Sequence, residues 1–368
     1  MELTYPYLFV FCFLTVAGLF FSLPFFKYVD QKTPPNSSHN IPLDSLRYFL
    51  ASFVFIAHSI GIYDHVLHGT FRGKYLEIDL LARSGVALFF AITGLLFWDK
   101  LKKKEVNWPK LYINRFFRIV PLIWFNTILI GVILFSISKE APNQNYFKWF
   151  DFINDKKPDF TEFKNAWIFT AGVFWTLVYE WGFYFTLPAL SMFSKRPLVA
   201  SVTISFALIY VGNFFFPKMH LHYLMFFVIG ILASDISEFV KLKKTHLDII
   251  LLTSIVTLLY FMPYPNDISS FSNVLFLSIM ICINKKADLF GFLSIKGFQR
   301  LGLSSYSIYV MHGVILYCII KYSFKHEFLI GNETYIFLLG YAIVLLFSTL
   351  TYKFIEDKFI EVGRMVKI

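Results

Sequence analysis

Apolar stretches of membrane-spanning length recur from one end of the chain to the other, at roughly 3–26, 45–63, 84–98, 119–138, 173–193, 198–216, 220–238, 247–263, 268–284, 303–321 and 335–355. Their spacing along the whole chain argues for one membrane body rather than two soluble domains. The composition agrees: of 368 residues 57% are hydrophobic and only 16% charged, and phenylalanine alone occurs 47 times. No soluble core of this size could hide that much apolar surface, so lipid must serve as solvent for much of it. The predicted fold is all-α, a polytopic transmembrane helical bundle. The 84–98 run is short, and it either reaches back over Leu80 and Leu81 or tilts. The first run has no basic start and no evident small-residue cleavage site, so an uncleaved span is expected there rather than a signal peptide.

The formal net charge of +10 does not mark a nucleic-acid surface. The basic residues cluster at the ends of apolar runs, as in cytoplasmic membrane loops. The loop DKLKKKEVNWPKLYINR is strongly basic, and so are Lys195–Arg196, Lys241 with Lys243 and Lys244, Lys285 and Lys286 with Lys296 and Arg300, and the C-terminus. The connections between these are mixed or acidic, above all 139–170 with Glu140, Asp151, Asp155, Asp159 and Glu162. The alternation predicts a cytoplasmic C-terminus and, with eleven spans, an N-terminus outside. The segment 139–172 is the longest outside the runs and could form a small extracytoplasmic cap. Cys12, Cys282 and Cys318 each sit inside an apolar run without Cys-x-x-Cys spacing, which reads as buried small hydrophobes rather than disulfides or a zinc site.

Ionisable residues inside hydrocarbon cost about 2.5–3.5 kcal/mol on insertion scales, so each requires a reason. Arg47 and His58, in LDSLRYFLASFVFIAHS, are separated by three helical turns plus about 20° and share one face, about 16 Å apart along the axis. Arg47 sits at the cytoplasmic mouth and His58 deeper. The bland alternative is a snorkelling arginine and a histidine bonded to a neighbouring helix. Glu180, in FWTLVYEWGFYFTLPAL, lies at a depth similar to His58, so if the two helices are neighbours the pair reads as a base and its orienter, a base and a partner acid, or an isolated pair that only holds helices together. His312, in LGLSSYSIYVMHGV, has Tyr309 three residues earlier on roughly the same face. Arg115 and Arg118, in YINRFFRIVPLIW, share one side of a span at its cytoplasmic end. They serve either as positive-inside anchors or, with Arg47, as a clamp for a phosphate-bearing donor.

These segments resemble the bacterial acyltransferase 3 family of integral-membrane O-acyltransferases. LDSLRYFLASFVFIAHS is similar to that family's LDGLRG…H helix, SGVALFFAITGLLF to GVDLFFVLSGFLI, and RFFRIVPLIW to RRFLRIYPLYW. FWTLVYEWGFYFTLP is similar to WSLSVEEQFYLLWP, LGLSSYSIYVMH to LGRISYSLYLLH, and FIEDKFIEVGR to FIEKPFRRLGR. Six segments in the family's order cover the chain from about residue 44 to its end, which divides it into 1–43, an extra span with a cytoplasmic linker, and 44–368, a ten-span acyltransferase domain. The resemblance implies a bacterial inner-membrane enzyme that takes an acetyl group from acetyl-CoA on the cytoplasmic side. The acceptor it implies is a hydroxyl of a surface glycan, such as a lipopolysaccharide O-antigen, or of a lipid-linked oligosaccharide. It implies catalytic roles for His58 and Glu180 and donor binding by Arg47, Arg115 and Arg118, with Tyr309 and His312 as further candidates; no metal is implied. Two departures stand out: Ala87 replaces the family's acidic residue, and Trp181 replaces the second carboxylate of its Glu-Glu pair, leaving Glu180 alone. No fused periplasmic hydrolase-like domain is expected, so the membrane body must bind the acceptor. The rival readings are a transporter or flippase for a glycolipid or anion, disfavoured by the lack of obvious internal repeats, and a structural membrane subunit.

Overall fold

Two asparagines open the helices that carry the arginines. The Asn40 side chain accepts from the backbone N–H of Leu43, and that of Asn107 from Lys110, each with a proline in the first helical turn. The computed structural model describes residues 6–30, 39–71, 76–103, 105–139, 142–153, 157–161, 163–194, 222–261 and 270–367. Every regular element among them is helical. In chain order these are α1 (Pro6–Phe21), α2 (Ile41–His68), α3 (Leu76–Lys103), α4 (Trp108–Ser138), the single turn α5 (Gln144–Phe147), α6 (Trp175–Ser191) and α7 (His222–Phe239). They continue with α8 (Lys244–Phe261), α9 (Ser270–Asn284), the short α10 (Lys296–Leu303), α11 (Ser305–Lys325), α12 (Glu333–Thr351) and α13 (Asp357–Met365).

Each predicted apolar run coincides with a helix except 198–216, which lies outside the described residues, as do Lys195, Arg196, Glu140, Asp155 and Glu162. The short run at 84–98 does extend backwards, since α3 starts at Leu76. Among the described residues six helical stretches are long and apolar enough to cross a membrane: 41–68, 78–103, 108–138, 244–261, 305–325 and 333–365. The expected count of eleven is not confirmed on that measure, which does not cover the 198–216 run. Two apolar helices, Val10–Phe21 and Phe271–Asn284, are shorter, and the 3–26 run is divided where Pro24 opens a separate 3₁₀ turn, Pro24–Val29.

α2, α3 and α11 form the centre of the bundle, with α7 against α3 and α12 against α11. α3 and α7 approach closely because Gly94 and Gly230 face the opposite backbone. A Cβ at Gly94 would stand 2.1 Å from the Phe227 carbonyl oxygen, and one at Gly230 1.9 Å from that of Ala91. Such small-residue crossings replace the hydrophobic drive that lipid removes. At the basic end of the same pair, the buried Asp235 accepts from the Trp98 indole at 2.7 Å and from Lys102 at 3.1 Å. The α12 hydrogen-bond ladder widens at Tyr352–Glu356 into one π-turn, where Asp357 N–H donates to the Tyr352 carbonyl. The segment after α4 folds into short turns around the fully buried Trp149, whose indole donates to the Pro158 carbonyl at 2.7 Å.

The N-terminal segment is fastened to the bundle by Arg300 of α10, which is 3% exposed. Its guanidinium donates to both Asp30 carboxylate oxygens, at 2.9 and 3.1 Å, and to the Phe21 and Leu23 carbonyls at 2.9 and 2.8 Å. Four charge-assisted bonds satisfy a buried guanidinium that would otherwise be costly. Burial pushes the Asp30 carboxyl up, but the Arg300 hydrogen bonds and the Lys296 charge bring it, on balance, below the ordinary aspartate value. A lowered carboxylate stabilises the fold above its unfolded pKa and loses that contribution as pH falls through the folded value. Asp30→Ala should therefore destabilise the protein by about 1–3 kcal/mol at neutral pH, read as a lower thermal midpoint in detergent. The gap from wild type should close on acidification below the aspartate range, and a gap that persists unchanged there would rule out this ion pair as its cause.

Candidate active site

The arginines predicted from sequence meet in one cavity. It has a volume of about 340 Å³, and Arg47 from α2, Arg115 and Arg118 from α4, Glu180 and Tyr184 from α6, and Tyr306 and Tyr309 from α11 are on its wall. Apolar side chains of α3, among them Phe89, Phe90 and Phe97, close another side. A second cavity of similar size lies against it, bounded by His39, Asp44, Tyr352, Asp357 and Arg364. Arg47 and Arg118 line both, so they form the partition between them.

Each partition arginine has its own carboxylate. Arg47 lies 3.3 Å from Asp44 one turn earlier, and the other Asp44 oxygen is 2.7 Å from His39 Nε2. Arg118 is 3.6 Å from Glu356, a fully buried side chain that accepts from Ser307 Oγ at 3.1 Å. The π-turn brings Glu356 there. Arg115 has no carboxylate within ion-pair distance among the described residues, and its guanidinium lies 5.2 Å from the centre of the Phe97 ring. On the wall of the first cavity three guanidiniums thus face one carboxylate, Glu180. Asp44 and Glu356 already offset Arg47 and Arg118, so in this low-dielectric setting Arg115, without a carboxylate partner among the described residues, is the guanidinium best placed to draw an anionic ligand.

The two candidate histidines pair with each other. His58 Nδ1 is 2.9 Å from His312 Nε2, and His312 Nδ1 is 3.1 Å from the Ile308 carbonyl oxygen. A carbonyl only accepts, so His312 Nδ1 carries a proton and donates it. His312 Nε2 is then the acceptor in a neutral ring, and the proton between the rings belongs to His58 Nδ1. The remaining nitrogen, His58 Nε2, is left with a lone pair. A backbone carbonyl thereby selects the tautomer of one imidazole, which selects that of the next. The ring of His312 is fully buried and packs against Phe55 and Tyr309. Tyr309 is also part of the cavity wall, so the arginine-lined space and the histidine pair share a side chain. The Tyr309 hydroxyl is fixed by Thr176 Oγ1 at 3.1 Å, which in turn donates to the Val173 carbonyl at 3.0 Å.

The expectation that Glu180 orients the His58 imidazole is corrected by this geometry. Glu180 bonds to the Tyr184 hydroxyl one turn along its own helix, inside the arginine cavity. The partner of His58 is instead His312, because α2 packs on α11. Arg47, Arg115 and Arg118 share one cavity with Tyr309 and Glu180 on its wall, whereas the depth counted from sequence set Glu180 level with His58 and away from the arginines. Asp44, His39, Ser307, Tyr184 and Glu356 escaped the sequence reading. The Glu356 carboxylate did leave a signal, an acidic residue directly following the apolar FI of TYKFIED, but it passed as part of a basic tail.

The Acyl_transf_3 family model, described as "Acyltransferase domain", matches residues 40–353, most of the chain. Neither the curated proteins nor the solved structures contain a match.

Nitrogen-15 spectra of histidine-labelled protein should show His58 protonated at Nδ1 and bare at Nε2. His312→Phe should abolish the hydrogen-bonded Nδ1 signature of His58. A wild-type His58 protonated at Nε2 instead would reverse the donor order derived above.

Proposed function

The chain belongs to the acyltransferase 3 family and is a membrane acyltransferase, and from that premise we propose that it moves an acetyl group from acetyl-CoA to a hydroxyl of a cell-surface polysaccharide or its lipid-linked precursor. The observation that carries this reading is the lone pair left on His58 Nε2 by the His58–His312 pair, beside a cavity walled by three arginines. In the proposed orientation the donor enters from the basic, cytoplasmic end of a bacterial inner-membrane protein. Its phosphates engage Arg47, Arg115 and Arg118, whose planar forks suit phosphate oxygens. A space of about 340 Å³ is too small for the whole donor but suits its thioester-bearing arm. The nucleotide end would then occupy the adjoining cavity beyond the arginine partition.

The chemistry follows from the lone pair. His58 Nε2 takes the proton of the acceptor hydroxyl as its oxygen attacks the thioester carbonyl carbon. The new C–O bond forms, the C–S bond breaks, and the coenzyme leaves as a thiolate that recovers the proton from His58. The products are an acetyl ester and free thiol, and no group is oxidised or reduced. His312 keeps the His58 lone pair directed outward and disperses the transient positive charge through its own hydrogen bond. An acyl-histidine relay uses the same nitrogen as nucleophile and the same support. Glu180, bonded to Tyr184, offsets part of the arginine charge in the donor cavity.

His58→Ala should abolish transfer of labelled acetyl from acetyl-CoA to surface glycan while leaving the amount of protein in the membrane unchanged. Arg115→Met should raise the donor KM by roughly tenfold to a hundredfold, the loss of one charge-assisted contact of about 1.5–3 kcal/mol. Full acetylation by His58→Ala would exclude this mechanism. Lipid flipping or uptake by the purified protein with no covalent product would assign it to transport instead.

A further inference from the structure

The end of α2 remote from Arg47 carries an arrangement that the donor side does not use. α2 stops at His68 with Gly69 in the left-handed region at φ 72°, and Asp64 closes the turn by bonding His68 at 2.9 Å and Thr70 Oγ1 at 2.8 Å. The chain doubles back and lays Phe71 on Gly61, where an added Cβ would stand 2.8 Å from the ring. The Phe71 ring thereby lies 5.8 Å from the imidazole of His58. Trp167, from the 3₁₀ turn Ala166–Thr170, meets Phe71 edge-on at 5.4 Å, and His65 meets Trp167 at 6.1 Å. The cluster therefore extends from the catalytic candidate away from the arginines. His65 and Arg47 are eighteen residues apart on one helix, about 27 Å along its axis.

One observation separates this cluster from ordinary core packing. Ala166, Ile168 and Phe169 on the same turn are at most 1% exposed, yet Trp167 between them is only half-buried, as is Phe71. The neighbours anchor the turn, and Trp167 keeps part of its surface exposed. Its indole N–H is also unused. Trp98, Trp124 and Trp149 each donate to an oxygen, whereas Trp167, like Trp108, Trp175 and Trp181, donates to none among the described residues, so its N–H is available to a ligand. An aromatic face with an unspent donor at its edge, beside an imidazole, is the make-up of a site for a ligand with an apolar face and a polar rim. A pyranose ring has both: axial C–H bonds on one face and hydroxyls around its edge.

We propose that Phe71 and Trp167, with His65 beside them, form the acceptor subsite, a platform for one pyranose ring that directs a hydroxyl of the sugar toward His58. The proposal rests on the acyl-transfer reading above and adds where the acceptor binds. The Trp167 indole donates to a ring hydroxyl, and the face of the sugar lies over the aromatic pair. Donor and acceptor thus approach the histidine from opposite ends of α2.

The test is a kinetic split with purified full-length protein, acetyl-CoA, and de-O-acetylated surface glycan extracted from cells lacking this chain. Trp167→Ala and Phe71→Ala should each raise the glycan KM roughly tenfold, equivalent to about 1.4 kcal/mol, and leave the acetyl-CoA KM unchanged. Trp167→Phe keeps the face and loses the donor, so it should recover part of the affinity and guards against a folding defect. An unchanged glycan KM in both alanine variants would overturn the proposal, as would an equal rise in both KM values. Wild-type protein that transfers no acetyl at all would instead refute the acyl-transfer reading, which distinguishes the two failures.

Discussion

A polar side chain inside hydrocarbon finds no water, so its partner must come from the protein, from its own helix or from another. That constraint organises this molecule. Tyr48 of α2 reaches the Leu14 carbonyl of α1 and receives the Tyr341 hydroxyl of α12. Asn126 of α4 donates to the Val310 carbonyl of α11, and Tyr306 of α11 to the Ile119 carbonyl of α4. Apolar packing alone would let these helices slide or rotate against one another, since lipid tails compete equally well for leucine and phenylalanine. Each cross-helix hydrogen bond fixes one register.

The histidine pair is the chemically productive instance of the same rule. His312 has its Nδ1 occupied by its own helix, so only one nitrogen is left to meet α2. His58 meets it with Nδ1 and keeps Nε2 in reserve. A carboxylate in the place of His312 would hold the same tautomer more strongly, but it would bring a full charge into the bundle core. A neutral imidazole satisfies the geometry without that desolvation cost. The full charges are gathered instead in the cavities at the basic end, where Arg47 and Arg118 have partners and a phosphate could compete for them.

Much of this was legible in the residues. The apolar runs located the helices, and the i,i+3 spacing of Arg115 and Arg118 placed them on one wall with Arg47 at the same depth. His58, His312 and Glu180 stood out because ionisable groups in such runs are expensive. Which of them touch was not legible. Depth can be counted along a helix, but neighbourhood depends on how helices pack, and the count that set Glu180 level with His58 could not show that α2 packs on α11. The role of Glu356 was hidden for a related reason. Periodicity assumes 3.6 residues per turn, and the widened turn breaks that count at Tyr352–Glu356. Likewise, Gly61 reads as a weak helix residue until Phe71 is seen lying on it.

That widened turn bears on how such a chain can change over time. A π-turn holds one residue more than the α-helical turn it replaces, so everything after it is rotated by about 100° relative to an unbroken helix. Deleting any single residue between 352 and 356 would restore regular winding and leave the following segment, with Arg364 of the second cavity on it, facing as before, but it would remove the widened turn that brings Glu356 to Arg118. Individual side chains there can vary within the limits of size and charge, but their number cannot. The local chain length is itself a functional quantity, enforced by Arg118 on α4, which packs against the widened turn and needs its counter-ion on one particular side.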